Sequence, residues 1–271
     1  MLINGQPVST IVASDRGLQY GDGVFETLAV IDGRPCMWSR HMTRLVRGCE
    51  RLRIPVPDPQ QLYREALSIC DRPGYSVLKI IVSRGASGRG YLPHGEGCSP
   101  TRVLAVSDWP AGVSWSAPEA VRLCISSVRL AISPQLAGIK HLNRLEQVLA
   151  AMECHERGYD EGIMLDTNGL VIEGTRSNVF IVRDNRLYTP DLQDCGIDGI
   201  VRQLLIENVI EHEMPVTVTK LTPDDIQSAD EIFICNSIIG IRPVVAVDDH
   251  YTSGSTISTA LSQQLARAMT V

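Results

Sequence analysis

A lysine, an arginine, a glutamate and one helix start are the residues here whose types and settings could do chemistry. Lys140 follows the small and apolar run Leu136 to Ile139 and precedes a long amphipathic stretch. Two readings fit it: a solvated charge at a helix end, or an amine held in a dry site with a lowered pKa, which suits a Schiff base. Arg44 shares a helix face with Arg40, Arg47 and Arg51, a pattern that serves solvation unless an anion docks there. Glu173 follows the strand-like Leu170 to Ile172 and is either a turn carboxylate or a site group. Gly199, Ile200 and Val201 open a helix after Asp198, and the free N–H groups at such a start take water, a cap or a phosphate. These residues alone define an α/β protein with an anion site as one of several readings.

The elements that must position them follow from periodicity and turn chemistry. Leu2 and Ile3 lead into an Asn4-Gly5 turn, and Phe25 to Ile31 runs apolar to an Asp32-Gly33 turn, so the start reads as strands. Ser39 is the expected N-cap of a helix to Leu52, with Met42, Leu45, Val46, Cys49 and Leu52 on its apolar stripe. Pro55, Pro57 and Pro59 stiffen the approach to a second helix ending near Cys70. Strands are expected at Val77–Ser83, Val103–Val106 and Val121–Leu130. A long helix is expected from His141 to Arg157, with Leu142, Leu145, Val148, Leu149 and Met152 on one face. Strands at Gly162–Asp166 and Val179–Val182, turns at Asn168-Gly169 and Asp184-Asn185, and a helix from Gly199 to about Glu211 follow. Ile232–Cys235 and Val244–Val247 read as buried strands, and Ser255–Met269 as a closing helix. The Pro- and Gly-containing stretch near 111–135 places a boundary between domains of residues 1–113 and 114–271.

Composition removes several function classes. The 271 residues are 44% hydrophobic, enough for a large core, and carry a net charge of −6. An acidic chain argues against nucleic-acid or anionic-membrane surfaces, which need basic patches. No run approaches the roughly 20 apolar residues of a membrane span, and the first residues show no basic, then apolar, leader; a cytoplasmic protein is expected. The eight cysteines are scattered without a C-x-x-C pair and read as buried thiols. His155-Glu156 has no second histidine one turn on, so no metal is expected. Gly85, Gly88 and Gly90 follow a strand, but their spacing and Pro93 do not make a dinucleotide fingerprint.

Taken in order, the segment Arg16 to Thr27, the His41-x-x-Arg44-Leu45 helix, Lys140, Glu173-x-x-x-x-Asn178, Gly199 to Arg202, and Glu231 to Ser237 ahead of Pro243 resemble one family. It is the branched-chain-aminotransferase-like superfamily of pyridoxal 5′-phosphate enzymes, fold type IV, and the likeness spans nearly the whole chain. The resemblance implies an α+β, two-domain fold, with a smaller N-terminal α/β domain and a larger C-terminal domain holding a mixed, barrel-like sheet and helices. It implies that Lys140 carries the cofactor covalently and that Arg44, the Ile200 and Val201 N–H groups beside Gly199, and Ser237 hold its phosphate. By the same resemblance Glu173 pairs with the pyridine nitrogen, and Asn178 and Asn236 belong to the cofactor site.

The run from Ala137 to Ala150, with Ser83 to Tyr91 and Ile234 to Ser237, is similar to the aminodeoxychorismate lyase subfamily. That implies conversion of 4-amino-4-deoxychorismate to 4-aminobenzoate and pyruvate in folate biosynthesis, with Lys140 as general base and Thr27 delivering a proton. The substrate carries two carboxylates, for which Arg89 is the first candidate contact, with Tyr20 and Arg242 behind it. A homodimer and functional coupling to aminodeoxychorismate synthase are further implications. The alternative within the superfamily is a D-amino-acid or branched-chain aminotransferase. Outside catalysis, the alternative is a cofactor-binding scaffold, against which intact Lys140, Arg44 and Glu173 argue.

Overall fold

The computed structural model describes residues 1–93, 99–207, 214–252 and 254–269. The chain divides into two compact units, Met1–Pro110 with Ile139–Asn143, and Ala111–Gly138 with Arg144–Val271.

In the first unit the elements run β1 (Leu2–Ile3), α1 (Arg16–Tyr20), β2 (Gly23–Ile31), β3 (Arg34–Pro35), α2 (Trp38–Leu52), α3 (Pro59–Ile69), β4 (Tyr75–Ser83) and β5 (Thr101–Asp108). The strands pair antiparallel in the order β1-β5-β4-β2-β3. Alternation along β2 puts Val24, Glu26, Leu28 and Val30 on its buried side. There the apolar three meet Met42, Leu45 and Cys49 of α2 and Leu62 and Ala66 of α3 in one core. Both predicted turns form as read, with Asn4, Gly5, Asp32 and Gly33 all at positive φ, the geometry a tight hairpin turn requires. The cap of α2 is a correction: Met37 at φ 50 takes the N-cap place without a side-chain hydrogen bond, and Ser39 lies inside the helix. The stretch before β2, read as strands, also holds the short helix α1, capped by the Asp15 carboxylate.

The second unit runs β6 (Val121–Leu130), α4 (Leu145–Glu156), β7 (Glu161–Asp166), β8 (Val171–Gly174), β9 (Asn178–Arg183), β10 (Arg186–Pro190), α5 (Ile200–Ile206), β11 (Val216–Thr219), α6 (Pro223–Gln227), β12 (Glu231–Asn236), β13 (Gly240–Val247), β14 (His250–Tyr251) and α7 (Thr256–Met269). Its mixed sheet has the order β11-β10-β9-β12-β13-β6-β7-β8, with β14 on β13. β9 and β12 are buried almost throughout and stack Phe180 on Phe233 at 5.0 Å, which explains their continuous apolar runs.

Helix α4 starts later than expected, and its apolar face lies outward. It begins at Leu145, because residues 140–142 lie against β2 in the first unit. Its inward face is Gln147, Ala150 and Cys154, whereas Leu145, Val148, Leu149 and Met152 are 50–77% exposed. The apolar stripe is therefore turned outward. α5 is described to Ile206; the expected continuation to Glu211 reaches residues outside the described ones.

The seven described cysteines are free, and all but Cys36 are buried. Burial pushes Cys235 and Cys195 up to about 12, so neither is a thiolate at neutral pH. Cys98 lies outside the described residues.

Candidate active site

In the first unit, residues 140–142 act as an edge segment for β2. The Phe25 N–H donates to the Lys140 carbonyl at 2.9 Å, the Leu142 N–H donates to the Gly23 carbonyl at 2.9 Å, and Val24 bridges His141. Gly23 permits this approach, since a Cβ there would run into the Val82 carbonyl and the Leu142 side chain. Lys140 is thus fixed by sheet hydrogen bonds and is no helix-end charge. Its Nζ sits 4.4 Å from the centroid of the Phe25 ring, a cation–π distance. Thr27 shares that face of β2 and is half-buried. Lys79, the cross-strand partner of Thr27, places its Nζ 5.4 Å from the same ring but is exposed, whereas Lys140 is half-buried.

The opposite face of β2 carries a buried charge cluster. Glu26 accepts from Arg44 through both oxygens, Nε to Oε1 at 2.8 Å and Nη2 to Oε2 at 2.6 Å, and pairs with His41 Nδ1 at 2.6 Å. All three residues are buried, so the basic solvated face is overturned at Arg44, although Arg51 does lie in solvent. Burial raises the Glu26 pKa, but the charge and hydrogen bonds of Arg44, with the His41 hydrogen bond, more than offset that and bring it to about 2. Burial lowers the His41 pKa and the Arg44 and Lys140 charges reinforce this, against the pull of Glu26, so His41 sits below its ordinary value. His41 Nε2 is buried without a hydrogen-bond partner. Sequence reasoning assigned no role to Glu26 or His41. The signal was a carboxylate in the apolar strand run and a histidine three residues before Arg44.

Nearby in sequence, Arg16 holds the Gly-rich loop by donating to the Gly90 and Tyr91 carbonyls at 2.9 and 2.7 Å. Tyr20 is half-buried, with its ring 4.8 Å from the Arg16 guanidinium and 5.6 Å from the Tyr91 ring. Arg89, in the same loop, is exposed.

The second unit holds the other predicted groups. Glu173 on β8 is buried and accepts the Ile197 N–H on Oε2 at 2.7 Å and the Gln147 side-chain amide on Oε1 at 3.3 Å. Asn178 donates to the Ile197 carbonyl at 2.8 Å, so β9 and the segment ahead of α5 are stitched together beside Glu173. Gly199 caps α5 without a side chain, and a Cβ there would run into Asn178 Oδ1. Ile200 and Val201 bury their side chains at the start of that helix.

The remaining predicted residues do structural work that is visible in the hydrogen bonds. Asn236 Oδ1 accepts the Ile238 and Ile239 N–H groups at 2.8 and 2.9 Å, which builds the β12–β13 turn where Ser237 lies buried. Arg242 donates from Nε to the Glu119 carbonyl at 2.9 Å.

The chain belongs to the amino-transferase class IV family, whose profile matches residues 23–247, and it has the fold of type IV enzymes. Within that family it is 36% identical over 247 residues to the aminodeoxychorismate lyase of Vibrio harveyi, covering 90% of each chain. The crystal structure of 4-amino-4-deoxychorismate lyase from Pseudomonas aeruginosa is similar at 43% identity and TM-score 0.90, covering 98% of each chain. A pyridoxal-phosphate-bound hypothetical aminotransferase of Mycobacterium tuberculosis is similar at 26% identity and TM-score 0.85, over 97% of this chain and 95% of that one.

Proposed function

We propose that this protein is a pyridoxal-phosphate-dependent lyase that converts 4-amino-4-deoxychorismate to 4-aminobenzoate and pyruvate. The observation that carries the reading is Lys140, held by β2 hydrogen bonds with its Nζ over Phe25, within a sequence that is 43% identical to a lyase of that activity.

The donor set fits the cofactor: an amine, a buried guanidinium and a buried carboxylate are the partners that an aldehyde, a phosphate and a pyridine nitrogen need. Two features support the fit. The backbone at Gly199 must stay bare because of Asn178, and His41 Nε2 and Gln147 Oε1 are buried without partners in the protein itself. When bound, the cofactor supplies an electron sink for charge developing beside the substrate nitrogen. Lys140 Nζ takes the proton from the amine-bearing ring carbon as general base. Departure of the enolpyruvyl oxygen makes the ring aromatic, and the Thr27 hydroxyl relays the proton that Lys140 took up to the methylene carbon, leaving pyruvate and a neutral Lys140 amine. Arg44, the Ile200 and Val201 N–H groups and the Ser237 hydroxyl are proposed phosphate contacts, with Asn178 and Asn236 shaping their surroundings. Glu173 is proposed to keep the ring nitrogen protonated. Arg89, Tyr20 and Arg242 are proposed contacts of the substrate carboxylates.

A homodimer is part of this reading. The outward apolar face of α4, Leu145, Val148, Leu149 and Met152, supports it, because an exposed stripe of this kind is a docking surface more often than a solvated one. A cytoplasmic location and coupling to the synthase that makes the substrate complete the proposal.

The test uses the small number of lysines, Lys79, Lys140 and Lys220. Borohydride reduction of the loaded protein, followed by peptide mapping, is expected to find the cofactor on Lys140 alone. Lys140→Ala is expected to abolish product release while Lys79→Ala retains it. Cofactor on Lys79, or an active Lys140→Ala, would overturn the assignment.

A further inference from the structure

α4 buries an amide where a core helix would bury an aliphatic side chain. Its inward stripe is Gln147, Ala150 and Cys154, and its large apolar side chains point the other way. Gln147 is 9% exposed. Its Nε2 donates to Glu173 Oε1 at 3.3 Å, while its own Oε1 is buried without a hydrogen-bond partner. Rotating the amide by half a turn would set Gln147 Oε1 against a carboxylate oxygen, so the donor must face Glu173. A half-satisfied buried amide is costly to a fold, and a methionine of similar length would fill the space at lower cost. Packing therefore does not explain why glutamine stands here.

The surroundings of Glu173 supply an explanation. Its second oxygen accepts the Ile197 N–H at 2.7 Å, and Gly196, at φ 88, brings that backbone close. Arg144, ahead of α4, adds a positive charge that acts on Glu173. Donors on both oxygens fix the carboxylate plane, and each favours the ionised form. Gln147 supplies the Oε1 donor from a rigid helix.

We propose that Gln147 is a positioning residue, which holds Glu173 ionised and oriented toward the pyridine nitrogen of the cofactor and so keeps the proton on that nitrogen. This rests on the cofactor reading above. Removing the Gln147 donor makes the Glu173 carboxylate a better base, and the shared proton moves from the ring nitrogen toward Glu173. The electron sink weakens accordingly.

The experiment loads wild type, Gln147→Met and Gln147→Leu with pyridoxal phosphate labelled with nitrogen-15 in the ring. The ring-nitrogen resonance of both variants is expected to move toward the unprotonated position. Turnover should fall about tenfold or more, with kcat affected more than KM. The thermal midpoint of the cofactor-free variants should change little, since losing the donor to Glu173 is offset by removal of a half-satisfied amide. An unmoved resonance with turnover near wild type would overturn the proposal. A lower midpoint with an unmoved resonance would also overturn it, since Gln147 would then serve packing alone. Failure of wild type itself to take up cofactor would instead refute the cofactor reading on which the proposal stands.

Discussion

Glu26→Gln removes the carboxylate charge that faces both Arg44 and His41 while keeping the shape of the side chain. Glu26 is fully buried, and its pKa falls from 4.5 to about 2. That displacement corresponds to about 3 kcal/mol of stabilisation once the group is ionised in both states. Independently, removing one partner of a buried ion pair costs about 3–5 kcal/mol, because the other charge stays buried and uncompensated. The two routes agree on about 3 kcal/mol at neutral pH. Because the folded-state pKa is depressed, this stability is present above 4.5 and is lost as pH falls from 4.5 toward 2. The assay is urea unfolding of the cofactor-free protein, followed by the fluorescence of its three tryptophans, at a series of pH values. Glu26→Gln should be less stable by about 3 kcal/mol near neutrality, and the gap should close at acid pH as wild-type Glu26 becomes protonated. A neutral-pH difference below about 1 kcal/mol, or a gap that persists unchanged in acid, would refute the buried-pair reasoning.

Gly199→Ala forces a Cβ into Asn178 Oδ1 and should lower stability by about 1–3 kcal/mol and weaken cofactor binding, read by thermal shift with and without the cofactor. Leu149→Asp on the outward face of α4 should convert a dimer to monomers in sedimentation, with a dissociation constant raised about tenfold or more; an unchanged mass would place the interface elsewhere. Thr27→Ala should slow product release while leaving cofactor binding intact, and normal turnover would remove Thr27 from the proton path. Raising salt should leave the Arg44–Glu26 pair intact because it is buried, so the neutral-pH stability difference of Glu26→Gln should change little between low and moderate ionic strength.

Most strands were legible because buried β-branched runs and turn dipeptides are local signals. Val121–Leu130 forms over the span expected, and Val77–Ser83 lies within β4. Helix α4 was misread at its start, while its apolar residues do share one face. Leu142 continues the helical spacing of Leu145 and Leu149, yet residues 140–142 take up hydrogen bonds with β2, a long-range pairing that overrides local periodicity. Hydrophobic spacing finds an apolar stripe but does not say whether the core or another surface covers it, so the outward face of α4 could not be read. The same holds for Arg44. Its row looked solvated because its partner Glu26 lies on another element, eighteen positions earlier, and only the fold brings them together. Short elements escaped notice as well, although Thr222 to Asp225 carries a capping box that marks the start of α6. The chemistry-bearing lysine and glutamate were legible by resemblance, whereas Gln147 became visible only through burial and a missing partner.

The central claim is lyase chemistry without a second substrate. Cofactor-loaded protein should be incubated with enzymatically prepared 4-amino-4-deoxychorismate in the absence of any oxo acid, and both products quantified over many turnovers. Equal amounts of 4-aminobenzoate and pyruvate, rising together, are the predicted result. No product from loaded protein, or product that stops after a single turnover until an oxo acid is added, would contradict the account and point to an aminotransferase.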